Sequence, residues 1–278
     1  MNKSTPPPKR AKDLLEEFFH RPVFAKKSLG QNFLVNDSVI EKIVAAATLL
    51  NAKQALEIGP GPGALTQHLR AHFSDLTLIE LDRDFADHWR SEGLSVIEED
   101  ALQFHWRLPE MADLILVSNL PYQIASSLII ERSLDETPLK GMILMMQKEV
   151  AERMVAKPHT SQFGLTSVIA QSFWQLSKVV DAGSRDFQPP PKVNSRVLQF
   201  TPHLASQWPA SEKIKFLKFV KTCFQQKRKV LRTNLKVIAP ERDVEKLLEQ
   251  TRLTITTRAE ELSVAQFHDL FAKWRALA

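Results

Sequence analysis

The chain has a single cysteine, Cys223, in 278 residues. It cannot form an internal disulfide, and no Cys/His grouping has zinc-site spacing. His68 and His72 stand four apart on an expected helix, but they have no third ligand and read as surface histidines. No stretch approaches the roughly 20 consecutive apolar residues that span a membrane. The first residues lack a charged start followed by an apolar core, so no secretory signal is expected. A G-K-[ST] phosphate-cradling motif is missing, as is any internal repeat. These absences point to a reducing, cytoplasmic setting with no metal and no membrane partner. The 44% hydrophobic content supports a sizeable core, and the length suits one large domain with a smaller one.

What is present begins with Asn119-Leu120-Pro121-Tyr122, which follows the apolar run Leu114–Val117. An amide, a proline and an aromatic at the end of a buried strand can hold a planar exocyclic amine. The Asn119 side-chain oxygen can accept one N–H. The Leu120 carbonyl can accept the other, because Pro121 pushes the residue before it into an extended conformation. Tyr122 can stack on the base. A tight turn after a strand is the competing reading.

A second motif decides between them. Leu56-Glu57-Ile58-Gly59-Pro60-Gly61-Pro62-Gly63 reads as a strand entering a glycine turn. Such a turn lets backbone approach a nucleotide-like ligand closely. The spacing is G-x-G-x-G, not the G-x-G-x-x-G dinucleotide fingerprint. The strand Leu76–Ile79 then ends in Glu80, a carboxylate placed to take two ribose hydroxyls. Asp100 closes a third apolar stretch and can accept from an adenine amine. Glu98 and Glu99 are expected to be solvated.

Taken in order, these motifs resemble the ribosomal RNA adenine N6,N6-dimethyltransferases. The resemblance rests on Gly30-Gln31-Asn32-Phe33-Leu34, the Glu57–Gly63 turn, Glu80-Leu81-Asp82, Asn119–Tyr122, Gln147-Lys148-Glu149-Val150 and Phe187-Gln188-Pro189-Pro190-Pro191-Lys192-Val193. It runs from about Lys27 through Asn234. It implies S-adenosylmethionine as methyl donor and two adjacent adenosines near the 3′ end of small-subunit rRNA as substrate, in an immature 30S particle. It further implies that Asn32 and Leu34 lie over the methionine and sugar of the cofactor, with Gly59 and Gly61 in the turn. Glu80 would hold the ribose, Asp100 the adenine, and Asn119 would border both cofactor and target. Tyr122 and Phe187 would clamp the target base. Two positions depart from the family's pattern: Gln123, where Asn is usual, and Ser195-Arg196, where Ser-Ala is commoner. Both bear on substrate positioning.

Three other readings compete. The large-subunit resistance methylases usually carry Ile at the position of Leu120. DNA adenine methylases usually carry a Pro-Pro pair. A ribosome-assembly or transcription factor would use the fold mainly for binding.

The net charge is +5, and its distribution favours a polyanionic partner. Between Ser211 and Lys236 nine Lys and Arg residues, Lys213 and Lys236 among them, stand against Glu212 alone. Apolar residues interleave with them, as on helices with one basic face. Lys227, Arg228, Lys229 and Arg232 are the candidate RNA-phosphate contacts.

Strand-like and helical patterns alternate from Ala55 to Val155, which predicts a Rossmann-like parallel α/β sheet. Residues 1–24 are expected to form a flexible basic tail, with a short helix near Asp13–His20. Residues 25–204 are expected to form the catalytic domain and 205–278 a small all-helical RNA-docking domain. A monomer is the default expectation.

Overall fold

The computed structural model describes residues 8–19, 31–104, 106, 113–226 and 228–277. Its first element is a helix, α1 (Ala11–Phe19), where a short helix near Asp13–His20 was expected within an otherwise flexible tail. Ala11, Leu14, Leu15 and Phe18 are buried. The Ala11 amide donates to Asp37 Oδ1 at 3.1 Å, so burial and a cap tie these residues down.

The elements that follow are β1 (Phe33–Leu34), α2 (Asp37–Leu49) and β2 (Gln54–Ile58). Asn36 caps α2 by accepting from the amides of Ser38 and Val39, two donors that a helix start leaves without partners. The face it buries carries Val39, Ile40, Ile43, Val44, Ala46 and Ala47. Each larger aliphatic among them contributes about 1.5–3 kcal/mol on leaving water.

The chain continues through α3 (Thr66–His72), β3 (Asp75–Ile79), α4 (Arg83–Ser91), β4 (Ser95–Ile97), β5 (Leu114–Asn119), α5 (Ala125–Ser133) and β6 (Gly141–Gln147). Next come α6 (Lys148–Met154), α7 (Leu165–Phe173), β7 (Trp174–Ala182), β8 (Phe187–Gln188) and β9 (Ser195–Pro202). Seven strands form one sheet in the order β4-β3-β2-β5-β6-β9-β7. The pairs from β4 to β6 are parallel, and β9 runs antiparallel to β6. In β5 and β6 every residue but the last is buried, as parallel strands covered on both faces require. Strand order reverses between β2 and β5. Ligand crevices of open α/β sheets form at such a switch, beyond the strands' carboxyl ends.

The molecule divides into two compact units. The first holds residues 1–132, 137–151 and 175–202; the second holds 133–136, 152–174 and 203–278. The expected linear partition at 204/205 left the inserted segments 133–136 and 152–174 with the catalytic domain. The second unit is helical, with α8 (Ala210–Cys223), α9 (Leu231–Leu235), α10 (Glu241–Gln250) and α11 (Val264–Leu277). Its core is aromatic: Phe173, Phe216, Phe219 and Phe271 are buried, and Trp208 lies 5.6 Å from Phe216 between ring centroids.

Four members of the expected basic face are otherwise engaged, Lys215 with Glu212 and Lys236 with Glu241 among them. Lys213 is buried, and its ammonium donates to the Asp135 carbonyl at 2.6 Å. Arg232 pairs with Glu241 and Glu245. Arg228 and Lys229 are exposed, with no ion pair among the described residues, whereas Lys227 lies outside them.

Candidate active site

A cavity of about 310 Å³ opens at the carboxyl edge of the sheet, lined in part by Asn32, Gly59, Gly61, Glu80, Asp100 and Asn119–Tyr122. All of these were expected site residues. The ends of β2, β3 and β5 supply Gly59, Glu80 and Asn119, and Asp100 follows β4, so the parallel register itself brings them to one edge.

The glycine turn is held from two sides. The Gly61 amide donates to Glu80 Oε2 at 3.2 Å, and Trp89 Nε1 donates to the Gly61 carbonyl at 2.9 Å. Gly59, Gly61 and Gly63 have φ of 63°, 51° and 97°, in the left-handed region that costs other residues strain. At Gly63 a Cβ would collide with Trp89 Cζ2, so the indole can seal the turn only over a glycine. At Gly59 a Cβ would meet nothing within 4 Å, which leaves open space for a ligand against this backbone.

Glu80 accepts from the Gly61 amide on one oxygen and from the Asp82 amide on the other, at 2.8 Å. A carboxylate offers about four lone-pair sites, so both oxygens keep acceptor capacity. Burial pushes its pKa above the usual range, and the backbone bonds from Asp82 and Gly61 oppose that shift. Asp100 Oδ1 accepts from the Leu102 amide at 2.9 Å. With the apolar Ile58, Ile79 and Leu81 beside them, these acceptors fit a nucleoside: a diol at Glu80, a flat base between aliphatics and an amine at Asp100.

Glu57 lies behind this wall. It is buried, and its Oε2 has no hydrogen-bond partner among the described residues. Burial pushes its pKa up to about 8, and the Glu80 charge adds to the rise.

At the end of β5, Asn119 Nδ2 donates to the Asn32 carbonyl at 3.1 Å. A carbonyl can only accept, so the amide orientation is fixed and Oδ1 faces away from Asn32. Among the described residues no donor takes Asn119 Oδ1 or the Leu120 carbonyl. Leu120 is itself anchored by its amide to the Met145 carbonyl at 3.1 Å. Tyr122 borders the cavity, and its hydroxyl lies 2.9 Å from Ser195 Oγ.

Two expected residues lie elsewhere. Phe187 was expected to clamp the target base and Leu34 to cover the cofactor. Each is 3% exposed within the hydrophobic core, and the two pair across the β1–β8 ribbon. Pairing turns both side chains inward. Their neighbours Asn32 and Phe33 reach the cavity instead.

The cavity also holds residues that sequence reasoning missed. Glu99, expected to be solvated, lines it, as do Gln31 and Leu81. Glu98 does face out, bonding Arg90 at 2.8 Å. Gln31 Nε2 donates to Asp82 Oδ2 at 3.2 Å, joining the segment before β1 to the turn after β3. Adjacency to Glu80 and Asp100 was the available signal for Leu81 and Glu99.

The sheet order and the placement of the acidic residues define the class: this is the fold of the S-adenosylmethionine-dependent methyltransferases. A solved "23S rRNA methyltransferase ErmE" shares that fold, with a TM-score of 0.66 and 23% identity over 88% of this chain and all of that one. A solved dimethyladenosine transferase from Plasmodium falciparum superimposes with a TM-score of 0.75 at 26% identity, covering 87% of this chain and 97% of that one. The family profile described as "Ribosomal RNA adenine dimethylase" matches residues 24–275. A "Ribosomal RNA small subunit methyltransferase A" of Bdellovibrio bacteriovorus is 46% identical over 255 residues, 90% of this chain and 92% of that relative. One of the same description from Natranaerobius thermophilus is 32% identical over 95% of both chains. The chain belongs to the ribosomal RNA adenine dimethylase family.

Proposed function

We propose that this protein dimethylates N6 of two adjacent adenosines in the 3′-terminal hairpin of small-subunit rRNA during ribosome biogenesis. The observation that carries the reading is the Asn119 amide, held by its Nδ2 bond to the Asn32 carbonyl, at a cavity wall that Leu120 also lines. Two converging acceptors suit one primary aromatic amine. They draw its lone pair out of ring conjugation and stabilise the positive charge that grows on N6 during attack. Membership of the family and the names of the relatives support small-subunit RNA as the substrate.

Bound S-adenosylmethionine supplies an activated methyl group on a sulfonium. Glu80 would hold its ribose, Asp100 its adenine, and Gly59 and Gly61 would admit it close to backbone. The protein's further task is placement: reacting atoms about 3–3.5 Å apart and aligned. No strong base is needed, because a methylated ammonium is acidic and loses its proton readily. The target adenine must leave its stack at a cost of a few kcal/mol, and stacking on Tyr122 would return roughly 1–3 kcal/mol. Arg228 and Lys229 would contact phosphate. The substrate would be an immature 30S particle, met by a monomer in the cytoplasm.

The test is nucleoside analysis after incubation with unmethylated small subunits, large-subunit RNA or duplex DNA. N6,N6-dimethyladenosine from small subunits alone is the expected result. Product in large-subunit RNA would overturn the substrate assignment.

A further inference from the structure

Tyr122 is the chain's only tyrosine. It sits at the cavity wall with its hydroxyl 2.9 Å from Ser195 Oγ. Ser195 is fully buried. It opens β9 and pairs with Gln147 at the end of β6. Because β9 is antiparallel, its first residue lies at the same sheet edge where β5 delivers Asn119.

The residue after it strengthens the placement. Arg196 makes a two-point contact with Asp181 on β7, Nε to Oδ1 at 2.6 Å and an Nη to Oδ2 at 3.0 Å. That fork bonding fixes geometry as well as adding energy, and the guanidinium holds the Asp181 carboxyl below its usual range. Arg196 is one of the positions where this chain leaves the family's pattern. The start of β9 is thus tied to strands on both sides, β6 by its ladder and β7 by this pair.

We infer that Ser195 is a positioning residue for base capture: its buried hydroxyl holds the Tyr122 ring in the orientation that stacks on the flipped adenine. The inference rests on the proposed function. A phenol without a partner at this depth would lose both a hydrogen bond and a fixed ring angle. Two successive transfers to one nitrogen place the second methyl on a bulkier amine, so the base plane must stay fixed while N6 changes shape. Arg196 and Asp181 hold the strand that carries Ser195, and neither lines the cavity.

The experiment compares Ser195→Ala, Tyr122→Phe and the double variant. Each is assayed for methyl transfer to small subunits, cofactor affinity and, where Tyr122 remains, the ultraviolet titration of the single phenol. Each single variant should lower kcat/KM for RNA by about threefold to tenfold, the scale of one net hydrogen bond. Cofactor affinity should stay unchanged. The double variant should be no worse than either single one, because both remove the same bond. The phenol of Ser195→Ala should titrate at higher pH, since the serine bond opposes the upward push of burial. Multiplicative losses in the double variant, or an unmoved titration in Ser195→Ala, would overturn the inference. A wild-type protein that transfers no methyl to RNA would refute the functional reading and the capture role with it, even if the titration shift were seen.

Discussion

Asn119 Nδ2 donates to the backbone carbonyl of Asn32 at 3.1 Å, joining the end of β5 to the segment that leads into β1. On the proposed reading, the bond decides which atom of the amide would meet the substrate. It also makes the acceptor geometry depend on a residue 87 positions away in sequence.

Replacing Asn119 separates the two roles. Asn119→Ala should reduce transfer by about 100-fold or more, the scale of losing one aligned polar group at a reacting centre, with cofactor affinity within about tenfold. Asn119→Asp keeps an acceptor but sets a carboxylate against the Asn32 carbonyl, so it should fail as well. Single-turnover transfer and cofactor titration measure the two effects separately.

Glu80→Ala should act on the cofactor first. It removes the carboxylate that fixes the Gly61 and Asp82 amides as well as the proposed ribose contact. Hydrogen bonds to a charged group contribute about 1.5–3 kcal/mol each, so affinity should fall at least about tenfold. Calorimetric titration checks this, and unchanged affinity would remove Glu80 from the ribose role.

The glycines of the turn should respond differently. Gly63→Ala drives a methyl group into Trp89 and strains a φ of 97°, so it should destabilise the fold by about 1–3 kcal/mol. Gly59→Ala meets no atoms and carries only the conformational cost. Its larger effect should be on cofactor affinity. Thermal melts and binding titrations of the two variants distinguish these outcomes.

Glu57 gives a pH signature with a defined sign. Its pKa is raised from 4.5 to about 8 on folding, so the native state holds a proton that the unfolded chain releases. Its contribution to stability is fully present below about pH 4.5 and declines as pH rises toward about 8. Glu57→Gln should flatten that part of the profile. Melting temperatures of both proteins between pH 5 and 8 provide the check, with a parallel decline in the variant as the adverse result.

Arg228 and Lys229 are exposed and unpaired among the described residues. Charge reversal at either should weaken RNA binding and lower the salt slope by about 0.7–0.9 for each phosphate left without its cation. Arg232→Glu should chiefly break its pairs with Glu241 and Glu245 and affect stability. Binding measured across a salt series separates these effects.

The parallel sheet and most of the cavity were legible because both depend on local signals. Apolar runs that end in Gly59, Glu80 and Asn119 mark strand ends, and parallel register puts those ends together. What failed depends on distant pairing. Nothing near Phe187 says that β8 will meet β1 and turn the ring inward. Nothing near Lys213 says that the 133–136 segment will offer it a carbonyl. The Ser195 hydroxyl and the Asn32 carbonyl became functional candidates only once strands far apart in sequence were set side by side. Helix α1 was legible despite the prolines and basic residues ahead of it, because its apolar residues at positions 11, 14, 15 and 18 have helical spacing.

The most direct test of the central claim is a paired measurement on wild type and Asn119→Ala: labelled methyl incorporation into unmethylated small subunits, with cofactor affinity measured on the same preparations. The expected result is N6,N6-dimethyladenosine from the wild type and none from the variant at comparable cofactor affinity. Undiminished dimethylation by Asn119→Ala would contradict the assignment of its amide oxygen as the acceptor that activates N6.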